Sequence, residues 1–207
     1  MSESVSLGRV AAIYDHLASR YDRGSRLTER WFFGARRARL CALARGNVLE
    51  LAVGTGLNFP HYPRDIRLSG VELSEGMLAL ARERARGLGM AANLMHGNAE
   101  ALEFSDASFD SVVCTLSLCT IPDDRRALAE AWRVLASGGR LLLLEHVRSP
   151  RPMVRFAERL IESLAMRTIG DHLLRDPLDH LPGLGFTVEH TERAVLGLLE
   201  MVVARKE

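Results

Sequence analysis

Residues 48–58 read Val-Leu-Glu-Leu-Ala-Val-Gly-Thr-Gly-Leu-Asn, an apolar run that stops at two glycines. A short apolar run bounded by glycine is a buried strand that delivers the backbone into a turn before a helix. Glycine serves where the chain needs φ > 0 or must lie against a ligand, because a Cβ would collide. A dinucleotide fingerprint would add a third small residue at position 59, where pyrophosphate meets a helix N-terminus. Phe59 and Pro60 stand there instead. The loop therefore suits a nucleoside without phosphates, with a carboxylate, Glu50, four residues before Gly54.

Further landmarks follow at the intervals a nucleoside site requires. Residues 66–72 read as a second strand ending in Glu72, 18 residues beyond Gly54, where an acid accepts hydrogen bonds from ribose hydroxyls. Ser74 is a candidate N-cap for the next helix, and Met77 can lie against a purine face. Asn98 and Ala99 follow a short strand, and the Asn98 amide oxygen can accept from an adenine amino group. Residues 108–115 and 135–141 supply a fourth strand and the turn into a fifth. The pattern Glu50-x-x-x-Gly54-x-Gly56, with these landmarks, resembles the class I S-adenosylmethionine-dependent methyltransferases. That resemblance implies S-adenosylmethionine as cofactor, held by Glu50, Gly54, Gly56, Glu72, Leu73, Met77, Asn98, Ala99 and Thr115.

At 207 residues the chain is long enough for one α/β domain with a full core. Strand readings at 47–53, 67–72, 92–96, 109–115 and 140–147 alternate with helical patterns at 78–88 and 124–135, the grammar of a parallel sheet. The last two strands, 186–192 and 197–204, are joined by a turn around Arg193 and Ala194. That turn is too short for a crossover, so the pair is antiparallel. The expected fold is α/β: a doubly wound, seven-stranded, mostly parallel sheet with a C-terminal antiparallel hairpin. A single methyltransferase domain over 1–207 is expected. Its parts are N-terminal lid helices (1–46), a cofactor-binding core (47–147), acceptor-pocket helices (148–185) and the hairpin (186–207).

No apolar stretch reaches the length of about 18 residues that suggests a spanning helix, and residues 1–9 lack a signal-peptide core. A soluble, cytoplasmic protein is expected. Lys206 is the sole lysine, which excludes Schiff-base and P-loop chemistry. Net charge is +1, yet residues 1–47 hold nine arginines against Glu3, Asp15, Asp22 and Glu29, a local excess of +5. These arginines read either as solvated helix faces or as a patch for anionic lipid. No basic extension or stacking aromatics point to nucleic acid. Cys114 and Cys119 lack metal-site spacing. No metal or disulfide is expected; Cys114 belongs in a strand and Cys119 against the acceptor pocket. Met153, Phe156, Leu160, Ile161 and Leu164 fall on one helical stripe, with Arg155, Glu158, Arg159 and Glu162 on the other. The apolar stripe is expected to pack on the sheet; the alternative is a lid that meets a lipophilic substrate or makes peripheral membrane contact.

Before the first strand, Tyr14-Asp15-x-x-Ala18-x-x-Tyr21-Asp22 resembles the N-terminal lid of the quinone C-methyltransferases and the short bacterial phosphatidylethanolamine N-methyltransferases. The resemblance implies that a lid tyrosine closes over the methionine end of the cofactor, and Tyr14 and Tyr21 share one helix face. Residues 114–122 and Glu145-His146-Val147 look most like the microsomal thiol S-methyltransferases. Three small, lipophilic acceptor classes therefore stay open: a phospholipid amine, a quinol or a thiol. His146 and Tyr21 are the catalytic candidates, and His146, His172 and Arg175 the candidate substrate residues. A neutral imidazole can take a proton from an amine or thiol, although an acceptor held in line with a reactive sulfonium needs no strong base. His16, His61, His96, His180 and His190 read as surface or satisfied groups. The rival expectation is a catalytically silent, cofactor-binding partner subunit.

Overall fold

The structure, a computed structural model, describes residues 6–168 and 172–207, without the side chains of residues 163, 164 and 166–168. The Leu164 side chain, part of the apolar stripe, thus lies outside the described residues. Five strands run parallel: β1 (Asn47–Leu51), β2 (Arg67–Glu72), β3 (Ala92–His96), β4 (Phe109–Thr115) and β5 (Leu135–His146). β7 (Leu199–Lys206) lies antiparallel between β5 and β6 (Phe186–Ala194). The sheet order is β3-β2-β1-β4-β5-β7-β6. Strand order reverses between β1 and β4, the switch point at which doubly wound sheets bind ligands.

Strands covered on both faces need apolar side chains in both directions. In β5, Leu141 and Leu143 pack with Ala127, Leu128 and Ala131 of α4 (Asp124–Val134). Leu142 and Leu144 point the other way, toward Leu40 of α2 (Gly34–Cys41) and Leu78 of α3 (Glu75–Gly87). All four leucines are fully buried. Side-chain caps start α3 and α4. Asp123 accepts from the Arg126 N–H at 2.9 Å, and Ser74 Oγ from the Met77 N–H at 3.1 Å.

Several local expectations fail, each for a visible reason. No α-helix follows the glycine loop; a single 3-10 turn, Phe59–His61, replaces it, with Pro60 inside the turn and Pro63 just beyond it. The Phe59 ring is buried, and a Cβ on Gly56 would stand 2.5 Å from it. Gly56 is therefore required by this packing. β5 begins at Leu135, five residues before the expected start, because residues 137–139 are absorbed as an irregularity between the Phe109–Leu135 and Ser111–Arg140 pairs. Gly138, at φ 74°, turns the chain there. The hairpin reverses at Val195–Gly197, beyond Arg193 and Ala194.

The largest departure concerns α5 (Pro152–Thr168). Its apolar stripe does not pack on the sheet: Met153, Phe156, Leu160 and Ile161 are 87%, 63%, 67% and 53% exposed. Glu158 is buried instead, accepting from the Ser149 N–H at 3.0 Å. The helix is oriented by its acids, which turn inward. Among the described residues, no helix is long and apolar enough to cross a membrane.

Candidate active site

A cleft opens at the carboxyl ends of β1, β2 and β4, with about 650 Å³ of empty space, open solvent included. Its floor is made by Ala52 and Gly54 after β1, Glu72 and Leu73 at the end of β2, and Met77 of α3. Gly97, Asn98 and Ala99 form one wall; Leu116, Ser117, Thr120, Ile121 and Pro122 form the other. Leu7, Val10, Tyr14 and Tyr21 of α1 (Leu7–Thr28) cover it. Two non-glycine residues on this floor and wall hold a left-handed backbone, Ala52 at φ 49° and Leu116 at φ 55°. Such strain collects at functional sites, where surrounding structure over-determines it.

Glu72 organises the floor. Its two carboxylate oxygens accept the Gly54 N–H at 2.7 Å and the Ser74 N–H at 2.9 Å. Burial raises its pKa, against the opposing pull of these backbone donors. Each oxygen keeps a lone pair for a further donor, such as a ribose hydroxyl. Gly54, at φ 59°, has nothing within 4 Å of the position a Cβ would take, so a ligand can approach its backbone directly. Asn98 Oδ1 already accepts from the Glu100 N–H at 2.9 Å and retains one acceptor site toward the cleft.

The paired Tyr-Asp motifs of α1 divide the work between their two residue types. The tyrosines reach the cleft, their ring centroids 6.4 Å apart. The aspartates fasten the helix to the cleft rim. Asp15 accepts from Ser74 Oγ at 2.5 Å and the Gly76 N–H at 2.9 Å, hydrogen bonds that lower its pKa. Asp22 accepts from Thr55 Oγ1 at 2.7 Å and pairs with Arg84. Sequence reasoning singled out the tyrosines and missed the aspartates, although both lay in the same repeat. Tyr21→Phe is expected to lower turnover more than Tyr14→Phe, read by initial rates at saturating cofactor. Equal, small effects would reduce both rings to packing groups.

Glu50, Gly56 and Thr115, expected at the cofactor, do not line this cleft. Alternation along β1 explains Glu50: it shares the face of Val48, opposite Leu49 and Leu51. There it accepts from Asn58 Nδ2 at 2.8 Å and Tyr62 OH at 2.9 Å, and burial pushes its pKa to about 7. Arg37, which the sequence reading passed over, joins the same network. Its Nη1 donates to Asn58 Oδ1 and Thr115 Oγ1, both at 2.7 Å, and its Nη2 to Glu29 at 2.6 Å.

The candidate substrate residues are also dispersed. His146 lies beneath α5, outside the cleft lining, with Nε2 4.0 Å from Glu158 Oε1; burial lowers its pKa. Arg175 is committed to loop carbonyls: its guanidinium donates to those of Leu118 (2.9 Å), Pro122 (2.7 Å) and Ile121. The His172 N–H donates to the Cys119 carbonyl at 2.8 Å, so the 172–175 segment braces the cleft wall. Cys114 and Cys119 are buried in no disulfide, and the described residues contain no cluster that could hold a metal ion.

Comparison with known proteins gives this geometry a family. A model described as a methyltransferase domain matches residues 49–143. A phosphatidylethanolamine N-methyltransferase of Cereibacter sphaeroides is 32% identical over 61% of this chain and 63% of its own. A demethylmenaquinone methyltransferase of Clavibacter sepedonicus is 33% identical over 72% of this chain and 62% of its own. The chain thus spans less than two thirds of either relative. In fold it matches a possible histamine N-methyltransferase of Thermotoga maritima, with TM-score 0.73 and 24% identity over 95% of this chain and 99% of that one. Residues 49–143 therefore carry a methyltransferase domain, on a fold shared with a solved S-adenosylmethionine-dependent methyltransferase.

Proposed function

We propose that this chain transfers a methyl group from S-adenosylmethionine to a small lipophilic acceptor, a quinol or a phospholipid amine. The observation that carries the reading is the composition of this cleft. One part offers Glu72, Asn98 and the bare backbone of Gly54; the other offers Leu7, Val10, Ile121 and Pro122. The polar part fits a nucleoside, and the apolar part fits an acceptor with little charge. The names of the two curated relatives, one acting on a quinone precursor and one on a phospholipid amine, support the same acceptor classes.

When bound, the cofactor supplies an electrophilic methyl group on a sulfonium. What the residues contribute is placement. Glu72 and Gly54 fix the sugar end, Tyr14 and Tyr21 close over the opposite side, and the wall at Leu116–Pro122 sets the acceptor's approach. Holding the acceptor in line supplies the larger share of the rate, by converting an encounter into an intramolecular step. His146, beneath α5 and outside the cleft lining, is not required as a base in this scheme.

Calorimetry tests the polar half, and labelled cofactor with a panel of quinols, phosphatidylethanolamine vesicles and thiols tests the apolar half. S-adenosylhomocysteine is expected to bind and NAD not to bind, since Phe59 fills the place a pyrophosphate helix would need. Glu72→Ala is expected to weaken S-adenosylhomocysteine binding by about 1.5–3 kcal/mol, the range for a hydrogen bond to a charged group. Measurable NAD affinity would overturn the assignment. Cofactor binding without turnover on any acceptor would favour a silent partner subunit.

A further inference from the structure

α1 presents two adjoining stripes to the rest of the molecule. Leu7, Val10, Tyr14 and Tyr21 recur at steps of three, four and seven residues, the spacing of one helix face, and all four line the cleft. Asp15, Ala18 and Asp22 hold the neighbouring stripe at the same spacing and lie against α3. A Cβ on Gly76 would stand 3.3 Å from both the Ala18 Cβ and Asp15 Oδ1, and Asp22 pairs with Arg84. The seam is this close because position 76 carries no side chain.

Both aspartates lead, by one intermediary each, to the Glu72 carboxylate. On the Asp15 side the intermediary is Ser74, which is fully buried. Its N–H donates to Glu72 Oε1 at 2.9 Å, while its Oγ donates to Asp15 Oδ1 at 2.5 Å and accepts from the Met77 N–H at 3.1 Å. Glu72 and Met77 are both cleft residues. On the Asp22 side the intermediary is Thr55, whose Oγ1 donates to Asp22 Oδ1 at 2.7 Å. Thr55 follows Gly54, and the Gly54 N–H donates to the other Glu72 oxygen at 2.7 Å. The two attachments therefore converge on one acid from its two sides. A helix registered in this way on the floor of the cleft carries its cleft-facing stripe, and with it Tyr14 and Tyr21, at a fixed height above that floor.

We infer that Asp15 and Asp22 are positioning residues for the cofactor: through Ser74 and Thr55 they register α1 on the Glu72 floor, and so hold Tyr14 and Tyr21 over the bound molecule. Neither aspartate lines the cleft; each acts through the tyrosine that precedes it. This role presupposes that the cleft holds S-adenosylmethionine, and it extends the binding machinery to side chains that do not touch the ligand.

The test is calorimetric titration of S-adenosylhomocysteine into the full chain and its variants. Asp15→Ala with Asp22→Ala removes the acceptors of Ser74, Gly76 and Thr55 and is expected to weaken binding by at least about tenfold. Asp15→Asn alone keeps an acceptor oxygen for Ser74 and Gly76, and is expected to stay within about threefold of the native chain. With Tyr14→Ala and Tyr21→Ala already in place, the two alanine changes at the aspartates are expected to cost less than about threefold, since coupled groups do not add. A purely structural role would give the same loss in both backgrounds. Gly76→Ala separates misplacement of α1 from unfolding. Alanine favours a helix more than glycine does, while the added Cβ crowds Ala18 and Asp15. Binding is expected to weaken by about threefold or more, with the urea midpoint unchanged or raised. Native affinity in the variant lacking both aspartates overturns the inference, and so does an equal loss in the tyrosine-free background. A native chain that does not bind S-adenosylhomocysteine removes the cofactor reading of the cleft together with this role. Binding by the native chain that the aspartate changes leave untouched removes this role alone.

Discussion

Replacing Arg37 with methionine is expected to destabilise the fold by about 3–5 kcal/mol, the range for removing one partner from a buried charge pair. Arg37 is 5% exposed and uses its whole fork: Nε and Nη2 on Glu29, Nη1 on Asn58 and Thr115. Methionine fills much of the same volume, so the loss comes from the acceptors left behind and not from a cavity. Glu29 would keep a carboxylate only 18% exposed, with its cation gone. Lysine is no substitute, because a point charge cannot serve three acceptors set in the plane of a guanidinium. Urea unfolding at neutral pH measures the change. A loss below about 1 kcal/mol, the scale of an exposed ion pair, would show that the network is replaceable. Adding Glu29→Gln to the methionine variant is expected to recover part of the stability, as coupled neighbours do.

The position of Arg37 also shows where sequence reading stops. The strands at 67–72, 92–96 and 109–115 were legible to the residue because each lies between turn signals at the spacing of a strand-helix unit, and the order of motifs pointed to the parallel core. That Gly54, Glu72 and Asn98 line one cleft was legible for a similar reason: they sit at strand ends, where chain position nearly determines spatial position. Arg37 gave no such signal. It is one of nine arginines in residues 1–47, and only the packing of α2 on the sheet separates the buried one from the solvated ones. Glu50 neighbours Gly54 in the motif, yet strand alternation turns its carboxylate to the face of Val48, outside the cleft lining. α5 misled through its pattern. An apolar stripe specifies that one face avoids water and leaves open whether the sheet or something else covers it. The inward pull of Glu158 decided that, through a backbone N–H at Ser149 with no mark in the sequence.

Stability is expected to fall as pH rises from about 5 to 8, the reverse of the usual carboxylate behaviour, and Glu145→Gln is expected to remove much of that fall. Glu145 is 1% exposed, and burial pushes its pKa to about 8 from 4.5; Glu50 is pushed to about 7 by the same cause. Between the unfolded and folded values the native state holds the proton and the unfolded chain has released it. Unfolding therefore liberates protons, and raising the pH favours it. Below about pH 4.5 both states are protonated and the effect vanishes; above the folded values the full penalty is reached. With about 1.4 kcal/mol for each unit of pKa shift, Glu145 alone accounts for up to about 5 kcal/mol between the two limits. Glutamine retains the useful half of the side chain, because Oε2 accepts the Ser117 and Leu118 N–H groups at 3.0 and 3.1 Å, whereas Oε1 is buried without a partner. These two N–H groups follow Leu116, whose strained backbone forms the cleft wall, so the substitution should leave the wall in place and S-adenosylhomocysteine affinity unchanged. Chemical denaturation of both proteins at pH 5, 6.5 and 8 decides the matter. A native chain equally stable at all three, or a Gln variant with the same pH slope, would mean that Glu145 ionises in the folded state as readily as in the unfolded one.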